Sequence, residues 1–189
     1  SMANTKQIKA AAVLNNAFSV AGGDGKTLIA TDHPLGGGGS LANRATTMAD
    51  LNETSLEDNL IGISTFTDDR GLNIALRGMK LIVPPQLVFV ADRLLQSPGR
   101  TATSDNDINA INNMNSMLPN GYVVNHYLTD TDAYFIKTDC PDGFKYFERS
   151  PMQTALEGDF DTGNMRYKAR ERYSFGYSNF RAVYGSQGA

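Results

Sequence analysis

A chain of 189 residues with 41% apolar side chains fits one domain, or one with a small lobe, and is too apolar for disorder. A net charge of −3 argues against a general polyanion binder, and no run approaches the roughly 20 apolar residues of a membrane span. One cysteine, Cys140, and two histidines, His33 and His126, leave no intramolecular disulfide, no cysteine metal cluster and little for a histidine metal site.

Ser1-Met2 reads as a remnant of tag removal, and no secretory signal follows it. Residues 4 to 19 predict a helix with a broad stripe that includes Ile8, Ala11, Val13, Leu14 and Ala17, ended by Gly22-Gly23-Asp24-Gly25. Lys26 to Thr31 predicts a short strand. Asp32 to Ala45 is a loop whose Gly36-Gly37-Gly38-Gly39-Ser40 resembles a flexible linker. No Lys follows these glycines and no Ser or Thr opens a helix after them, so a phosphate cradle is discounted. Residues 53 to 66 form the best amphipathic helix, with Leu56, Leu60 and Ile63 inward, Asn52 as N-cap and Glu53 in the first turn. Asp68-Asp69-Arg70-Gly71 stops it. Met79 to Val83 reads as an apolar strand. Pro84-Pro85 closes it and opens a helix from about Gln86 to Ser97. A further helix is capped by Ser104 or Asp105, with Ile108, Ile111 and Met114 toward the core.

After Pro119-Asn120-Gly121 the character changes to β. Tyr122 to Leu128 and Ala133 to Thr138 flank Thr129-Asp130-Thr131-Asp132, which reads as a hairpin turn. Pro141-Asp142-Gly143 turns into Phe144 to Glu148, and residues 157 to 163 form an acidic connection. The order implies an α+β fold with a mostly antiparallel sheet.

The most informative stretch is Asn164 to Tyr177. On a strand, Met165, Tyr167, Ala169, Tyr173, Phe175 and Tyr177 share one face, interrupted only by Glu171. Arg166, Lys168, Arg170 and Arg172 share the other. This predicts a long, half-buried strand carrying four cations, built for an extended partner. Tyr and Arg point to opposite faces, so base stacking and phosphate contact do not converge as a single-strand binding platform needs.

The Lys80-Leu81-Ile82-Val83-Pro84-Pro85-Gln86-Leu87 element, the segment from Tyr122 to Ile136, and Gly158-Asp159-Phe160-Asp161-Thr162-Gly163 leading into Arg166 to Gly176 together resemble the major capsid proteins of tailed bacteriophages. The chain is most similar to Mu-type major head subunits. The segments Asn15 to Ser19 and Asp24 to Pro34 carry the same likeness. The resemblance implies an HK97-type capsid fold, with a spine helix, a peripheral long-strand sheet and a separate axial lobe. Residues 1–52 then hold the end of the spine helix, a strand and the Gly-rich loop. Residues 53–140 form the axial α/β lobe, and 141–189 return to the peripheral domain with the basic strand. By the same resemblance, the N-terminal arm, the extended loop and most of the spine helix of that family are expected to be absent from this sequence.

The function implied is a non-enzymatic structural subunit of an icosahedral phage head, in the virion, made in the bacterial cytoplasm. It self-associates into pentamers and hexamers around double-stranded DNA bound without sequence preference. Scaffold or portal proteins are further partners; no cofactor, metal or membrane is expected. Arg166, Lys168, Arg170 and Arg172 are expected to meet an acidic edge of the adjacent copy, Asp159 and Asp161 or Asp68 and Asp69, or to line the DNA-facing wall. The alternative is a nucleic-acid-binding module using 164–177. Cys140 with His126 is a weak nucleophile–base pair against the reading of a strand-end thiol and a sheet imidazole. Asp130, Asp132 and Asp139 lack the spacing of a calcium loop and read as turn residues.

Overall fold

Asn52 begins the helix that the sequence marks most clearly. Its side chain accepts from the Ser55 N–H at 2.8 Å, and the Ser55 hydroxyl accepts from the Asn52 N–H at 3.0 Å. This reciprocal cap is worth about 1 kcal/mol. Helix α2 (Glu53–Ser64) then buries Leu56, Leu60 and Ile63, as the spacing predicts. The computed structural model describes residues 2–100, 107–113, 117–158, 161 and 163–189. Around α2 run α1 (Met2–Asn15), β1 (His33–Pro34), β2 (Ser40–Leu41), β3 (Gly78–Val83), α3 (Val88–Gln96), α4 (Ala110–Asn113), β4 (Tyr122–Val124), β5 (Tyr134–Thr138), β6 (Phe144–Gly158), β7 (Met165–Tyr177) and β8 (Val183–Ser186).

The central sheet has the order β4-β3-β5-β8, with β4 parallel to β3 and the remaining pairs antiparallel. Both faces are covered, which is why its strands read as apolar runs. Leu81, Val83, Tyr134, Ile136 and Tyr184 join the core under α2 and α3. Phe135 and Val183 point to the other face, onto Leu14, Ala17, Leu28 and Ile29. The period-2 alternation therefore sorts one strand between two cores.

Several expectations are corrected. Tyr122 to Thr138 is no hairpin: β4 and β5 lie on either side of β3. The turn of Asn125, whose side chain accepts from the Tyr127 N–H, carries the chain across. Asn15 pins that crossing, donating to the Tyr127 carbonyl and accepting from the Thr129 N–H. Lys26 to Thr31 forms no strand, only a single bridge from Thr27 to Ala21. A side chain, Asn43, takes the backbone groups of Leu28 and Ala30 that a strand partner would have taken. The Gly36 to Gly39 segment is no loose linker. It closes the β1–β2 hairpin with Gly38 and Gly39 at φ +93 and +88, and the Gly37 N–H donates to the Asp69 carbonyl at 3.0 Å. Ile108 is 70% exposed, although Ile111 beside it is buried as expected. The expected cap at Ser104 or Asp105 and the residue Met114 lie outside the described residues. Strand β6 runs ten residues past Glu148, and β8 occupies a tail that composition alone left as small residues.

Candidate functional site

Strands β6 and β7 form their own two-stranded antiparallel ribbon, from Phe144↔Tyr177 at the base to Gly158↔Met165 at the tip. Fifteen residues of β6 span roughly 50 Å. The base is anchored, with Phe144 and Tyr177 packed on the core that holds Leu14 and Phe135. Both register shifts place their extra residue in β6, around Pro151, which has no N–H to give a ladder. Strand β7 is the regular partner, so its alternation holds along its length.

From Ala169 onward the odd-numbered side chains are half-buried and most of the even-numbered ones are exposed. Toward the tip the expected half-burial fails: Met165 and Tyr167 are 69% and 68% exposed. Among the described residues, α1 reaches along this face only as far as Glu171, through Lys6.

Arg166, Lys168, Arg170 and Arg172 all stand exposed on one face. Their cross-strand partners are Glu157, Ala155, Gln153 and Ser150. Alternate residues place neighbouring cations about 6.6 Å apart along the backbone. Among the described residues, no carboxylate pairs with Lys168, Arg170 or Arg172. Asp159 lies outside the described residues, and Asp161 is exposed at the tip. Asp68 accepts from the N–H groups of Leu72 and Arg70, and the Leu72 bond chiefly holds its carboxyl below the usual range. Asp69 pairs with Arg181 at 2.9 Å, while Arg181 also donates to the Thr67 carbonyl. The structure therefore does not bring Asp68 and Asp69 to the basic row within one chain.

The residues that fix the ribbon to the helix are Lys6, Glu148 and Glu171. Lys6 Nζ donates to Glu171 at 2.6 Å and lies 3.7 Å from Glu148. It sits 4.9 Å and 5.4 Å from the ring centroids of Tyr146 and Tyr173. Glu171, the one charge on the apolar face of β7, is only 8% exposed. That interruption was the sequence signal for a half-buried ion pair; its partner, 165 residues away, was not legible. The Glu171 hydrogen bond raises the Lys6 pKa above its ordinary 10.5. The stabilisation from Lys6 is therefore full below pH 10.5 and fades as pH rises through the folded value. Lys6→Met is expected to lower Tm by a few degrees at pH 7, with the gap to the parent narrowing in strongly alkaline melts.

The enzyme candidates do not converge. His126 is exposed in a groove lined by Gln7, Ala10, Val123 and Tyr127, and Cys140 is not among the lining residues. Burial pushes the Cys140 thiol up, away from an activated thiolate. Asp130 accepts from the Asp132 N–H and Asp139 from the Arg77 N–H.

Residues 1–186 match the family described as phage capsid protein. The chain belongs to this family. That family is one of structural capsid proteins, which are not an enzyme class. Two solved structures are similar. One is a crystal structure of a virus-like particle from Pyrococcus furiosus, at 12% identity and TM-score 0.47, over 76% of this chain and 55% of that one. The other is the capsid of an empty GTA particle computed with C5 symmetry, at 17% identity and TM-score 0.48, over 100% of this chain and 65% of that one. The capsid protein chain thus spans less than two thirds of either. No curated protein matches it. None of its described helices is long and apolar enough to cross a membrane.

Proposed function

We propose that this capsid protein is the repeating subunit of an icosahedral phage head of HK97-type architecture, forming pentamers and hexamers around double-stranded DNA. The observation that carries the reading is the ribbon: a long arm, anchored at one end, with a cation row on one face. A monomer gains nothing from such an element, and a shell uses it in every copy. In this reading 1–52 and 141–189 make up the peripheral part and 53–140 the axial lobe. Scaffold or portal proteins are further partners in this reading, and the head is built in the bacterial cytoplasm.

Arg166, Lys168, Arg170 and Arg172 either meet carboxylates of the adjacent copy, such as Asp161 or Asp159, or face the packaged DNA. Exposed pairs are worth only about 0–1 kcal/mol each, so the row acts through its number and register. Reversing two charges, Arg170→Glu with Arg172→Glu, is expected to block head assembly or DNA retention, scored by electron microscopy and nuclease protection. Normal, filled heads would overturn this role for the row. A free nucleic-acid-binding module would instead show affinity falling steeply with log salt.

A further inference from the structure

One turn after Lys6, α1 brings a second lysine to the arm. Lys9 is exposed, and among the described residues no carboxylate pairs with it. It lines a groove of about 550 Å³ whose other lining residues all belong to β7, from Glu171 to Phe175. The groove therefore follows the outer edge of that strand. Its one anion, Glu171, is neutralised by Lys6 at 2.6 Å. Arg172 lies on the same edge, and beyond it the cations continue toward the tip through Arg170 and Lys168, one every two residues. The edge itself adds donors. Strand β7 pairs only with β6, so the N–H groups of alternate residues point outward, and none of them bonds a backbone carbonyl elsewhere among the described residues.

We propose that this groove and the row beyond it hold a phosphodiester backbone of duplex DNA, without regard to base sequence. The inference rests on the capsid-subunit reading and deepens it, by choosing DNA over carboxylates of a neighbouring copy. Lysine, arginine and outward backbone N–H groups are what phosphate oxygens accept from, and such contacts carry no base information. A row of unpaired like charges repels itself, and a continuous polyanion relieves that repulsion along its whole length. Carboxylates of a second copy would have to match the spacing one by one. Several are already held within their own chain: Glu53 by Arg100, Asp69 by Arg181, Asp139 by Arg77 and Asp142 by Lys145. A phosphate backbone carries one charge per nucleotide and needs no such match. The net charge of −3 confines this binding to the strip and keeps the rest of the surface from joining it.

The test is fluorescence anisotropy of a labelled, random-sequence DNA duplex titrated with the full chain over a range of salt. Four phosphate contacts, from Lys9, Lys168, Arg170 and Arg172, predict an affinity loss of roughly 150-fold between about 50 and 200 mM salt. Lys9→Gln and Arg172→Gln should each reduce the log–log salt slope by about 1, with an unchanged circular dichroism spectrum. Arg77→Gln, a cation outside the arm, should leave the slope as it is. No binding at low salt, or parental slopes in both Lys9→Gln and Arg172→Gln, would overturn the groove. So would variants that weaken self-association in sedimentation equilibrium while the DNA slope stays intact, since the cations would then belong to a neighbouring copy's carboxylates. Electron microscopy of particles separates the two readings. If DNA does not bind while the subunit still builds particles, only this inference falls. If DNA binds but particles never form, the function proposed above falls and a free binding module remains.

Discussion

Asn43→Ala is expected to cost about 3–5 kcal/mol, a third or more of the stability of an ordinary domain. Asn43 is fully buried and lies in no regular element. Its side chain accepts from the Ala30 N–H at 2.9 Å. It donates to the carbonyls of Leu28 at 2.7 Å and of Phe180 and Val183 at 3.1 Å. Its own backbone accepts from the Gly185 N–H and donates to the Ala30 carbonyl. One residue thus ties the irregular segment after α1 to the strand β8. Alanine removes no large apolar volume, yet leaves several buried backbone groups without partners, each costing about 1–3 kcal/mol. The terms are not additive, because the segment can shift to recover some bonds. Urea unfolding would show a lower midpoint at unchanged slope. An exposed control such as Thr54→Ala should move stability by less than about 0.5 kcal/mol. A loss for Asn43→Ala as small as the control's would mean that the hub is not what holds these segments.

Gly143→Ala is expected to cost at least about 2 kcal/mol, and Gly143→Val more, through overpacking. Gly143 precedes β6, and its carbonyl accepts from the Ser178 N–H at 2.8 Å, just after β7. A Cβ at this position would lie 2.1 Å from the Ala182 Cβ and 3.4 Å from its Cα. Neither atom is the far end of a flexible side chain, so backbone must move. The place is the root of the arm, where a shift of the turn swings a lever of about 50 Å. A double-mutant cycle tests the mechanism: Ala182→Gly should recover much of the loss in the Gly143→Ala background and little in the parent. Strict additivity of the two changes would show that the glycine is needed for another reason. Head assembly is expected to suffer beyond the stability loss, since the same turn aims the arm.

What was legible in the sequence follows from local rules. The cap at Asn52, the inward trio Leu56, Leu60 and Ile63, and the strand and helix around Pro84-Pro85 are each fixed within a few residues. The two faces of β7 are likewise set by alternation alone, and the family resemblance rode on such local elements. Pairing was not legible, because it depends on contacts far apart in the chain. Two β segments separated by a turn rich in Asp and Thr predict a hairpin, yet β3, forty residues earlier, lies between β4 and β5. Nothing near Val183 announces that β8 completes that sheet.

The candidate site divides in the same way. Composition and alternation determined that one face of the arm is basic and the other apolar. Only the tertiary structure decided which part of the apolar face is covered. Lys6 and α1 occupy it as far as Glu171, and beyond that point Tyr167 and Met165 meet solvent. Burial is a property of what the rest of the chain brings up against a strand, and a strand's own residues do not encode that neighbour.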